Sequence, residues 1–62
     1  DPIMQDHLGD AYFHLRRLRE ARQAWEKSLT LKPDNPTVEQ KLRDVRSQME
    51  ESLHGASGLQ RP

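Results

Sequence analysis

The 62-residue sequence predicts an all-α fold, an antiparallel helix-turn-helix hairpin followed by a third, capping helix. Three observations carry this expectation. Apolar residues recur at helical spacing in three segments; a short basic turn and a proline-bearing loop separate those segments; and the helix-start signal of the first segment returns 34 residues later, Asp1-Pro2 as Asn35-Pro36.

Asp1 is suited to cap a helix and Pro2 to open it, because a proline at the first helical position loses no hydrogen bond. The first helix is expected over about 2–15. Met4, Leu8, Ala11 and Leu15 fall on one face of it with Tyr12 beside them, a stripe that must be covered. Arg16 and Arg17 form the turn. The second helix, over about 18–31, carries Ala21, Trp25, Ser28 and Leu29 as the matching stripe, with Leu18 at its start, and so short a connection makes the two helices antiparallel. Small residues, Gly9 and Ala11 on the first helix and Ala21, Ala24 and Ser28 on the second, let the backbones approach. Tyr12 and Trp25 are expected to fill the space beside them and to keep a polar atom near solvent.

Pro33 ends the second helix, since the residue before a proline is driven out of helical ψ. Asn35 and Pro36 then start the third, expected over about 36–53, with Val38, Leu42, Val45, Met49 and Leu53 as its apolar stripe. Residues 1–53 are read as one unit. The small, polar, glycine-containing stretch 54–62 is expected to be a disordered tail.

Leu8, Gly9, Tyr12, Ala21, Trp25, Ser28 and Pro33 stand at spacings that resemble the tetratricopeptide repeat, and the 34-residue offset matches its period. The resemblance spans roughly residues 2–35 as one repeat and implies an α-solenoid element. Gln5 departs from it, standing where the family usually carries a large aromatic. Arg43 and Arg46 stand where a further repeat would again have Gly9 and Tyr12, so the third helix is expected to cap the array.

In proteins of this resemblance the first helices of successive repeats line a concave groove for a peptide. Carried over, that surface is Asp6, Asp10, Phe13 and His14 with Gln40, Asp44, Ser47 and Gln48. The resemblance thus implies a non-enzymatic scaffold with a protein or peptide partner. Asp6 and Asp10 would repel a carboxylate, so a basic segment anchored on Phe13 is the expected ligand.

The turn bears on self-association. Arg16-Arg17 replaces the glycine usual in the family, and an arginine at positive φ costs roughly 1 kcal/mol relative to glycine. A right-handed turn is therefore the first expectation; the sharper one is that the hairpin opens at Arg16 and Arg17 and two copies exchange helices. Ile3, Met4 and Tyr12 are expected on an open edge, where an isolated repeat would stack on another copy as a homo-oligomer.

Ten basic and ten acidic residues cancel, which argues against a polyanion-binding surface. Arg16, Arg17, Arg19 and Arg22 cluster, but as a solvated face, and neither nucleic acid nor membrane is expected as a partner. No cysteine is present to build a disulfide or a thiolate metal site. Asp6, His7, Asp10 and His14 cluster on the first helix, with Asp6/Asp10 and Asp10/His14 as i,i+4 pairs but without a metal-binding motif, so no metal, cofactor, small-molecule substrate or catalytic residue is expected. With no apolar stretch long enough to span a bilayer and no leader pattern, a soluble, cytoplasmic setting and a fragment of a longer protein are the expectations.

Overall fold

The computed structural model describes residues 1–59, with side-chain surroundings for residues 1–51. Three helices follow in order: α1 (Pro2–His14), α2 (Leu18–Leu31) and α3 (Pro36–Leu59). α1 and α2 close as an antiparallel hairpin, and α3 packs on the other side of α2.

Both expected starts are in place. The Asp1 carboxylate accepts the Ile3 N–H at 3.0 Å, and the Asn35 side chain accepts the Val38 N–H at 3.3 Å, each beside a proline at the first helical position. α1 ends at His14 with Leu15 as its C-cap, one residue before the expected end. α3 runs past its expected end at Leu53 to Leu59. Gly55 and Gly58 weaken a helix by only about 1 kcal/mol each, and the next proline is Pro62. Of the expected disordered tail, residues 54–59 continue the helix and residues 60–62 lie outside the described residues.

The turn corrects the first expectation. Arg16 sits at φ 61°, in the left-handed region. Its N–H donates to the Phe13 carbonyl at 3.0 Å, and the Arg17 N–H donates to the Tyr12 carbonyl at 2.9 Å. This is the paired pattern of a Schellman cap, with arginine in the place that glycine fills without strain. Two backbone bonds and the packing of the hairpin hold Arg16 there. The helices do not run on as one.

The core lies on both sides of α2. Ala21, Trp25, Val38, Leu42 and Val45 form the buried cluster, with Tyr12, Phe13, Leu18 and Leu29 against it. With the Leu53 side chain outside the described residues, the α2 stripe and the α3 stripe from Val38 to Met49 are where their spacing put them. The α1 stripe is not: Met4 is 65%, Leu15 66% and Leu8 41% exposed, and Ala11 is exposed with them. α1 instead turns Gly9 toward α2, where the Trp25 indole lies so close that a Cβ on residue 9 would approach Nε1, Cδ1 and Cε2 within 3.0 Å. The reason is the indole itself. Its N–H donates to the Asp6 carbonyl at 3.1 Å, and the Ser28 hydroxyl donates to the Pro2 carbonyl at 2.8 Å, so two polar ties dock α1 by its small-residue side. The polar atom of Trp25, expected near solvent, is satisfied by α1 instead.

At the outer end of the core Arg46 meets Glu26 at 3.1 Å, joining α3 to α2 where Tyr12 stands in α1. Among the described residues, no helix is long and apolar enough to cross a membrane.

Candidate protein-interaction groove

α1 and α3 flank α2, and along one edge of the three helices they leave a groove of about 260 Å³ between them. Its lining is Asp10, Phe13 and His14 from α1, Trp25 from α2, and Lys41 and Asp44 from α3. The floor is aromatic: the Phe13 and Trp25 ring centroids are 5.8 Å apart, tilted by 43°, within the range of favourable aromatic pairs.

Lys41 crosses the groove. Its ammonium lies 2.9 Å from Asp6 Oδ1, 3.0 Å from Asp10 Oδ1 and 5.8 Å from the centroid of the Trp25 ring. Asp6 Oδ1 also accepts the indole N–H at 3.1 Å, so one carboxylate oxygen joins all three helices. Burial pushes the Lys41 pKa down, but the hydrogen bonds it donates to Asp6 and Asp10 and their negative charges outweigh it and hold it above its ordinary value. The cation is thus fixed in the groove at neutral pH.

Of the residues expected on the concave face, Asp10, Phe13, His14 and Asp44 line this groove. Asp6 turns inward to Trp25 and Lys41. Gln40 donates to Asp44 at 3.0 Å and so orients that carboxylate at the rim. Gln48 lies outside the lining and accepts a hydrogen bond from Arg16 at 3.2 Å, tying α3 to the turn. Ser47 is exposed and away from the groove. Sequence reasoning missed Lys41, because its role depends on which side of α3 meets α1. Three carboxylates, Asp6, Asp10 and Asp44, still face a single lysine, so the groove remains acidic beside an apolar floor.

The expected edge and hinge residues are separate from the groove. Ile3 and Met4 are exposed at the start of α1. Tyr12 lines a smaller cleft of about 190 Å³ with Gln5, Leu8 and Ala24, and its ring lies 5.6 Å from the Arg17 guanidinium. Arg16 and Arg17 form the capped turn, where Arg17 also pairs with Glu20 at 2.8 Å.

Comparison with protein families matches the tetratricopeptide repeat over residues 5–35, half of the chain. The chain belongs to the tetratricopeptide repeat family. The matched segment covers most of α1, the turn, α2 and the loop to Asn35, and α3 begins with the same cap one repeat length later. Tetratricopeptide repeats in general mediate protein–protein interaction and are not enzymes. No curated protein and no solved structure matched this chain.

Proposed function

We propose that this tetratricopeptide repeat unit, residues 1–53, is a non-enzymatic interaction module whose groove takes an apolar or aromatic side chain from a basic peptide segment. The observation that carries this reading is the aromatic floor of Phe13 and Trp25 beneath an excess of carboxylates. An apolar anchor would displace water from the rings, and a neighbouring arginine or lysine of the ligand would reach Asp10 and Asp44. A ligand carboxylate would meet like charge at the rim, although Lys41 offers one cation that Asp6 and Asp10 already hold.

Trp25 is the sole tryptophan and lies in the groove floor, so its fluorescence reads occupancy directly. Titration with a peptide carrying one aromatic between arginines should change that emission, with affinity falling as salt rises. Asp10→Asn with Asp44→Asn should weaken it about fivefold per carboxylate, or ~1 kcal/mol each. An acidic peptide of the same pattern binding equally well, or no response to either, overturns the reading. A second reading, self-association, is favoured by the exposed apolar stripe of α1.

A further inference from the structure

The groove already holds a cation of its own. Lys41 reaches into it from α3, and its ammonium lies 3.0 Å from one Asp10 oxygen and 3.3 Å from the other, so both oxygens that a basic ligand would seek face a lysine of this chain. The same ammonium lies 2.9 Å from Asp6. Lys41 therefore stands where the basic side chain of a ligand would stand.

The two carboxylates hold it unequally. Asp6 is the more enclosed, with its side chain 22% exposed, and its Oδ1 also takes the Trp25 N–H at 3.1 Å. Asp10 is 41% exposed and lines the groove. If Asp10 is ceded, Lys41 keeps its closer partner, and the tie between α1 and α3 survives the exchange. Geometry decides what can take Asp10 from an ammonium. An ammonium meets a carboxylate as a point charge, whereas a guanidinium meets both oxygens at once with parallel N–H donors. A ligand lysine offers Asp10 only what Lys41 already gives; a ligand arginine offers more.

We propose that Lys41 is a built-in competitor for the ligand's cation: an arginine of the bound segment takes Asp10 from Lys41, which keeps Asp6. This deepens the reading of the groove as a site for basic segments and rests on it. Lys41 then sets the specificity of the groove, for arginine over lysine.

Lys41→Met keeps the stem and removes the competitor. The peptide carrying one aromatic between arginines should then bind about two- to fivefold more tightly, the range of an exposed ion pair, even though the variant is the less stable protein. A Lys41 that serves only as a strut predicts the reverse. The gain should also vanish in the Asp10→Asn background, where Lys41 has nothing to cede. A gain that persists there comes from net charge alone and overturns the proposal, as does an unchanged or weaker affinity in Lys41→Met itself. The same peptide with lysines in place of its arginines should bind the wild-type chain more weakly, and equal affinity overturns the choice of arginine. Should Lys41→Met unfold, the wild-type chain decides by NMR. On addition of the arginine peptide the ε-methylene signal of Lys41 should move, while those of Lys27 on α2 and Lys32 at its C-cap stay in place. A Lys41 signal that is still at saturation overturns the proposal. Peptide that binds neither wild type nor Lys41→Met would fell the groove reading itself, and this inference with it.

Discussion

Met4, Leu8 and Ala11 in α1 and Leu15 at its C-cap occupy the positions that Val38, Leu42, Val45 and Met49 occupy in α3, each 34 residues on. Both helices begin with the same kind of cap and the same proline. Yet the α3 stripe is buried on α2 from Val38 to Val45, while the α1 stripe is exposed along its length. Apolar spacing says that a helix has a face to cover. Whether a neighbouring helix meets that face is a separate matter: α3 lays its stripe on α2, and α1 turns its stripe away from α2. α1 is held by its other side, where Gly9 admits Trp25 and the Asp6 carbonyl takes the indole proton.

The sharpest way to break this contrast is a matched pair of truncations. Leu42→Ala should cost about 2–5 kcal/mol, against a whole stability of about 3–9 kcal/mol for a domain of this length. Leu8→Ala, at the equivalent position, should cost no more than about 1 kcal/mol in a dilute solution. Urea denaturation followed by helical circular dichroism measures both, and equal losses would mean that α1 is covered after all.

Lys41 tests a second difference, since its α1 counterpart His7 is exposed while Lys41 ties α3 to Asp6 and Asp10. Lys41→Met keeps the stem and should lower stability by up to about 1 kcal/mol at neutral pH. Because folding raises the Lys41 pKa, the wild-type advantage is fully present below the ordinary value of 10.5 and is lost as pH climbs through the higher folded value. The wild-type and Met curves should therefore converge in strong alkali and run parallel below it.

The smallest effect has the opposite sign. Arg16→Gly relieves a left-handed arginine but gives up the bond to Gln48, so thermal unfolding should show a gain between a few tenths and about 1 kcal/mol. A loss would mean that the Gln48 tie outweighs the backbone strain.

Much of the groove was legible in the residues. Asp10, Phe13, His14 and Asp44 follow from the repeat register once α1 and α3 are placed one period apart. Lys41 was not legible, because a lysine on a polar helix face is silent until the neighbouring helix presents carboxylates to it. Gln48 was placed on the groove and instead serves the turn, for the same reason. Arg16 shows the limit from the other direction. A residue type discourages positive φ by only about 1 kcal/mol, which a cap and a packed hairpin exceed.

The sequence by itself determined the three helices, their caps, the loop at Pro33, the stripes of α2 and α3 and the repeat family, because these rest on local dihedral preference and on spacing along one chain. The tertiary structure decided which side of α1 faces inward, the hand of the turn at Arg16, and the capture of Lys41 by Asp6 and Asp10. Those depend on contacts between residues far apart in sequence, where one buried indole and its hydrogen bond outweigh the apolar stripe of an entire helix.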